Sequence, residues 1–497
     1  MLILICIVAV LAVIASFMWK VRALRIALPG PRHRFYVGSF AEVHRHRARF
    51  PDWLYDCTLK HGRTWGFSVP GTTPYIVISS PDNVEHVLKT QFERYEKGPT
   101  FQLHFRELLG DGIFNADGEQ WKHQRHMALQ QFRRRALREH MSTVMIERTQ
   151  PVLGLVDKYA SSGERFDLQS LFYAYTLDTF SEIAFGHHLD SLHTESSFAK
   201  AFDLSQWLIN RRFTTPWWKL ERALDVGGER QLKRSVRHLN DYVGKLVLER
   251  LALSEEALSE KSDLLSAFTR QLKEDSPEGV PQIDSAERYL IDVVLNFMIA
   301  GRDTTAGALS WTFYRLWKHL ELQAKVVEEV REVVGDEPLS YAHFGSLPFT
   351  RSFFFETLRL HPSVAKGLKY AVVDDTLPDG TVVPKGCGLV YSPYVMGRML
   401  DIWGEDALEF RPERWLSVNR KGKRVFHERT PYHFPQFNAG PRICLGKYLA
   451  VMEAEFLIVA LLRRFRFKLA MPEAGITYLD SLTAPVDGGL MMTAEAV

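Results

Sequence analysis

The chain has 497 residues, 46% of them hydrophobic and 24% charged, with a formal net charge of +3. That composition excludes a disordered chain, and so small a charge excess over this length gives no footing for nucleic acid. Cys6, Cys57, Cys387 and Cys444 are scattered and form no C-x-x-C pair, which excludes a disulfide framework, a cysteine zinc site and an iron–sulfur cluster, and points to a reducing compartment for the body.

Residues 2–19 form an apolar run from Leu2 to Trp19, close to the roughly 20 residues that a helix needs to cross a bilayer. No charge precedes it, and Lys20, Arg22 and Arg25 follow, so the positive-inside rule puts the body on the cytoplasmic side. A cleaved signal peptide is the rival, but such peptides have a charged start and a shorter apolar core; an uncleaved single-pass anchor is the expectation. Residues 20–34 are basic and then proline-rich, with Leu28-Pro29-Gly30-Pro31 reading as a stiff, turned hinge. The length prior allows two to four domains. Residues 35–497 contain no clean linker, so one large domain is expected.

Tyr75-Ile76-Val77-Ile78 predicts a strand, and Pro81 opens a helix through Val84, Val87 and Leu88. Apolar periodicity predicts helices over Trp121–Leu137, Leu168–Phe185, Leu232–Leu253 and Ala286–Leu320, with a polar loop over Glu274–Asp284. Gly388–Tyr391 is strand-like. The fold class is therefore mainly α (α+β): one large helical domain with small sheets, after a transmembrane helix.

Five features carry candidate chemistry. Trp121 and Arg125 are four apart and share a helix face, which by itself is an ordinary amphipathic helix. Arg133, Arg134, Arg135 and Arg138 form a basic cluster, by default a solvated face. Arg211-Arg212, near Trp207, Trp217 and Trp218, suits a membrane surface better than a clamp for a carboxylate. In Ala300-Gly301-Arg302-Asp303-Thr304-Thr305, Gly301 weakens the helix and the Thr304 hydroxyl can turn back to the Ala300 carbonyl, giving a distorted turn with room for small molecules. A helix start capped by Asp303 or Thr304 is the alternative. The apolar spacing of Leu290, Val293, Val294, Phe297 and Met298 favours a continuous helix. Finally, Glu356 and Arg359 face each other three apart in a stretch too apolar for a surface pair. A buried pair needs more partners, and Arg414 in Phe410-Arg411-Pro412-Glu413-Arg414-Trp415 is the candidate.

The most telling text is Phe437-Asn438-Ala439-Gly440-Pro441-Arg442-Ile443-Cys444-Leu445-Gly446, which reads F-x-x-G-x-R-x-C-x-G. Helical text follows Cys444. A thiol at a helix N-terminus meets free N–H groups and the positive end of the dipole, which favour the thiolate that a soft or redox metal needs. A buried apolar cysteine, or a catalytic thiol with a distant histidine, are the plainer readings of such a residue.

The whole pattern resembles the haem-ligand loop of the cytochrome P-450 (haem-thiolate) monooxygenases. The motifs match that family in order from 121 to 446: W-x-x-x-R, A-G-x-D-T, E-x-x-R, P-E-R-[FW] and the cysteine loop. The resemblance implies Cys444 as axial ligand of haem b, framed by Phe437, Gly440 and Gly446, with Trp121, Arg125 and Arg442 at the haem propionates. It implies Thr304 and Asp303 in oxygen activation and proton delivery, and Glu356, Arg359 and Arg414 as a structural lock. It implies NADPH-dependent oxygenation with O2 as co-substrate. Electrons come from a separate NADPH-cytochrome P-450 reductase, with cytochrome b5 as a further donor, since too little chain follows Gly446 for a flavin domain. The basic cluster is where the family docks that donor. Endoplasmic reticulum membrane is the implied location, with membrane lipid and a small hydrophobic substrate as partners.

Within the family, Gly112-Ile113-Phe114-Asn115, Asp374-Asp375-Thr376-Leu377-Pro378-Asp379-Gly380, Gly397-Arg398-Met399, Ile402-Trp403-Gly404-Glu405-Asp406 and the asparagine at 438 resemble the plant and algal fatty-acid ω-hydroxylase clan. That implies terminal hydroxylation, with Phe114, Phe297, Ala300, Val364 and Ala365 as pocket wall. Animal ω-hydroxylases often carry a haem-attaching glutamate where this chain has Ala300, so non-covalent haem is expected. Oxidation of sterols or other lipids, a non-oxygenating electron-transfer haem protein, and a peroxide-rearranging enzyme are the competing functions. The intact Asp303-Thr304 pair speaks against the last two.

Overall fold

The computed structural model describes residues 15–16, 28–34, 37–69, 72–133, 135–194, 196–213, 215, 217–274 and 283–497. The expected anchor falls outside these residues except for Ala15 and Ser16, which are helical, and so does most of the expected 274–284 loop. No described helix is long and apolar enough to cross a membrane.

The principal helices are α1 (Phe50–His61), α2 (Gly98–Leu109), α3 (Gly118–Arg133), α4 (Arg135–Ser162), α5 (Leu168–Phe185), α6 (Ser197–Arg212), α7 (Gly227–Leu251), α8 (Leu264–Glu274), α9 (Ile283–Lys318), α10 (Leu320–Val333), α11 (Pro348–Leu360) and α12 (Lys447–Leu462). The helix expected over 121–137 falls on α3 and the start of α4, and α4 continues through Pro151. The long helix expected from 286 to 320 is α9, and a new helix starts at Leu320.

Strands are short. A five-stranded sheet has the order Thr64–Phe67, Tyr75–Ile78, Gly388–Tyr391, Gly367–Ala371, Tyr95–Glu96, so the two predicted strands lie side by side and parallel. A second sheet pairs Phe465–Leu469 with Met491–Ala496 and Phe166–Asp167. The end of the hinge rests on the first sheet, where Gly66 N–H donates to the Pro29 carbonyl at 2.9 Å.

Helix α9 runs through the centre, packed on α5, α7, α11 and α12. Its burial is nearly all round, as a core helix requires. Gly301 lies where the Phe180 ring of α5 crosses, and a Cβ there would collide with that ring. The glycine therefore serves close helix packing and does not break α9, which is continuous from Ile283 to Lys318. The continuous helix expected here, and not a start capped by Asp303 or Thr304, is what forms.

Candidate active site around Cys444

The cysteine loop hangs between two short 3₁₀ turns and the start of α12. Asn438 sits in the left-handed region, and its amide oxygen takes the Ala439 N–H at 2.8 Å and the Tyr391 hydroxyl at 3.2 Å. An asparagine suits that backbone because its side chain bonds locally. Gly440 has φ +62°, and a Cβ there would strike the Leu88 carbonyl, so glycine is required. Cys444 N–H closes the loop on the Phe437 carbonyl at 2.8 Å. Gly446 caps α12, with no atom within 4 Å of where a side chain would begin.

Cys444 keeps exposed surface. Burial pushes its pKa up, and the N–H groups of Gly446 and Lys447 and the charges of Arg125 and Lys447 pull it down without prevailing. The helix N-terminus acts in the expected direction, but burial outweighs it. A metal cation at the sulfur would tip the balance to the thiolate.

Arg125 donates to the Ile443 carbonyl at 2.6 Å, and Arg442 to the Ala116 carbonyl at 2.9 Å and Asp117 at 2.6 Å. Arg442 lies over the Trp121 ring, 4.4 Å from its centre. The Nε atoms of both arginines are buried with no partner among the described residues. Two residues that sequence reasoning missed join them. Burial pushes Lys97 down to about 8 and Lys369 well below the usual lysine range, and Arg442 depresses both further. Lys369 is 1% exposed in an otherwise apolar strand, the one signal that marked it.

On α9 the Thr304 hydroxyl donates to the Ala300 carbonyl at 2.6 Å, as expected. Thr304 and Ala300 keep some exposed surface, whereas Asp303 is buried and burial raises it to about 6. Arg302, also buried, pairs with Asp303 at 3.1 Å and with Asp203 of α6.

Glu356 and Arg359 are fully buried and form two bonds of 2.7 and 2.8 Å. Arg414 reaches Glu356 at 3.0 Å, and Trp415 Nε1 and Arg411 N–H complete it at 2.9 and 2.7 Å. Arg359 donates to the carbonyls of Gly397, Ala407 and Glu409. Every polar group of this buried triad is satisfied, which such a site needs to offset desolvation.

The expected pocket residues divide. Phe114 is half-buried and Val364 is 37% exposed. Phe297 packs between the rings of Phe132 and Phe268 at 5.6 and 5.8 Å, and Ala365 is buried beside Tyr394 and Ala484. Arg212 does not lie at the surface, contrary to expectation. Arg212 has a 1% exposed side chain and pairs with Glu107 and Glu229 at 2.8 and 2.6 Å, and Arg211 pairs with Glu221 at 2.9 Å. The side chains of Arg133, Arg134 and Arg135 lie outside the described residues; Arg138 donates to the Phe132 carbonyl at 3.1 Å.

A cytochrome P450 family model matches residues 28–485. Cytochrome P450 94A1 of Vicia sativa is 32% identical over 480 residues, covering 94% of this chain and 90% of that protein. Cytochrome P450 94C1 of Arabidopsis thaliana is 37% identical, covering 84% and 83%, and cytochrome P450 704C1 of Pinus taeda is 35% identical, covering 83% and 82%. The chain belongs to the cytochrome P450 family. The site of this cytochrome P450 suits haem in two respects. Its cysteine keeps exposed surface just before the N-terminus of α12. Arg125, Arg442, Lys97 and Lys369 outnumber the neighbouring Asp117 and Glu96, and a buried excess of cations calls for anions, which the two haem carboxylates are.

Proposed function

We propose that the protein is a membrane-anchored haem-thiolate monooxygenase that hydroxylates fatty acids at or near the methyl end. Cys444 would hold the haem iron through its thiolate, and Arg125, Arg442, Lys97 and Lys369 would hold the haem carboxylates. The observation that carries the chemistry is the exposed Cys444 beside Arg125, with Arg442, Lys97 and Lys369 clustered around Asp117. Bound haem with a thiolate ligand supplies reductive activation of O2, so that one oxygen atom enters a C–H bond and the other leaves as water, with two electrons from NADPH through a separate reductase.

The chain's own residues do the rest. The Thr304 hydroxyl, held on the Ala300 carbonyl, stands where a proton is delivered, and Asp303 next to it exchanges protons near neutral pH. Phe114, Ala300 and Val364 give the substrate side an apolar wall, which suits an alkyl chain. The similarity to plant cytochromes of the 94 and 704 groups agrees with the resemblance to the fatty-acid ω-hydroxylase clan. The anchor at residues 2–19, the hinge at 20–34 and the domain at 35–497 place the body on the cytoplasmic face of the endoplasmic reticulum. Exposed Trp207, Phe213, Trp217, Leu220 and Leu224 support a lipid-facing surface there.

Reconstitution with a reductase, NADPH and a series of fatty acids, read by mass spectrometry, tests the substrate. Terminally hydroxylated acids are expected. Oxidation of sterols with no turnover of any fatty acid would replace this substrate class. A reduced carbon monoxide complex without the red-shifted Soret band, or the same band in Cys444→Ala, would remove the thiolate assignment.

A further inference from the structure

The loop between α2 and α3 is clamped to α9 at three points. Asn296 Oδ1 accepts the Phe114 N–H at 3.1 Å, and its Nδ2 donates to the Leu109 carbonyl at 2.8 Å and to the Asp292 carbonyl at 2.7 Å. One turn earlier, Asp292 Oδ2 accepts the Asp111 N–H at 2.9 Å. From the far side, Gln124 donates to the Asp111 carbonyl at 2.8 Å.

The approach is as close as a backbone can make. A Cβ on Gly110 would run into the Asp292 carboxylate, and one on Gly112 into the Asn296 amide. Asn115 closes the loop internally by donating to the Gly110 carbonyl at 2.8 Å. Thus both glycines and Asn115 in Gly110-Asp111-Gly112-Ile113-Phe114-Asn115 fit the clamp, and Phe114 is the ring it presents.

Asn296, Ala300 and Thr304 follow at i, i+4 and i+8, so they share a ridge of α9. Asn296, which holds Phe114, is about 6 Å along the axis from Ala300 and about 12 Å from Thr304. Asn296 is 0% exposed and has no free surface for substrate.

We propose that Asn296 is a specificity-setting positioning residue: by fixing the backbone of Phe114 against the ridge that carries Ala300 and Thr304, it sets which carbon of the alkyl chain is oxidised. This rests on the proposed oxygenation at that ridge. Internal C–H bonds are weaker than terminal ones and react first if they reach the oxidant. A wall that holds its height keeps them away, and one that yields admits them.

The test uses the haem-bound full chain. Asn296→Ala is expected to raise amide hydrogen exchange over residues 109–116 by at least tenfold without substrate. It should also raise the in-chain to terminal product ratio at least threefold. Asn296→Asp keeps an acceptor for the Phe114 N–H and should fall between wild type and Asn296→Ala. Phe114→Leu should shift the ratio in the same direction, and the double variant should add little to either single one. Unchanged exchange, an unchanged ratio, or fully additive shifts would overturn the proposal. If Asn296→Ala does not fold, a wild-type ratio in Phe114→Leu overturns it. A wild-type protein with no oxygenation at all would instead remove the proposed function.

Discussion

Arg302 on α9 is shared between Asp303, its neighbour on the same helix, and Asp203, which stands on α6 with a 57% exposed side chain. Asp303 stands at about 6: burial raises it most, Arg302 opposes that, and the Asp203 charge adds to the rise. An arginine does not give up its proton, so the guanidinium sets the charge balance and does not relay protons.

Removing Asp203 therefore has a definite sign. Asp203→Asn deletes a repelling charge and leaves Arg302 to Asp303 alone, and both effects lower the Asp303 pKa. Product formed per NADPH consumed should fall in the wild type across a limb near pH 6, as the protonation state of Asp303 changes. That limb should move to lower pH in Asp203→Asn and vanish in Asp303→Asn. Coinciding pH profiles for the three proteins would refute a proton-handling role.

Glu453 gives a stability test. It is buried on α12 with the Thr305 hydroxyl beside it, and burial raises it to about 8 from an ordinary 4.5. The folded state thus binds its proton more tightly than the unfolded state does. Stability should fall as pH rises from roughly 4.5 to 8 and level off above. Glu453→Gln should be more stable than wild type by roughly 1–3 kcal/mol near pH 8.5 and equal to it near pH 4.5. Urea melts across that range decide the matter, and parallel curves would exclude this titration.

The Glu356 site predicts a loss without repair. Glu356→Ala leaves Arg359 buried without its partner and should cost about 3–5 kcal/mol. Arg359→Lys also fails, since one ammonium cannot serve Glu356 and three carbonyls at once. Yield of folded, haem-bound protein is the readout.

Gly301 and Phe180 form a matched pair. Gly301→Ala should destabilise by about 1–3 kcal/mol through overpacking. Phe180→Leu should recover part of that loss in the double variant, whereas it costs stability alone. Thermal melts of the two single variants and the double one complete the cycle.

Much of the site was legible in sequence because its chemistry is written in short spacings. Thr304 and Ala300 are one turn apart, Glu356 and Arg359 three residues apart, and Cys444 lies two from Arg442. Lys97 and Lys369 were invisible because they meet only when Gly367–Ala371 pairs with Tyr95–Glu96. Arg212 misled because its partners Glu107 and Glu229 arrive from other segments and bury it. Several motifs that suggested a substrate are scaffold. Asp375 binds His86, Arg94 and Tyr95, Asp379 binds Thr64 and Asn83, and the Gly397 carbonyl accepts Arg359. Pro151 would have divided α4 on propensity alone, yet packing on α5 and α12 keeps it whole.

Arg212 joins α6 to α2 through Glu107 and the His104 carbonyl, and to α7 through Glu229, with the Trp218 ring 4.5 Å away. Three separate segments are riveted at one guanidinium. Loosening any one of these helices alone would strand a buried charge without its partner, so the three hold together as one unit.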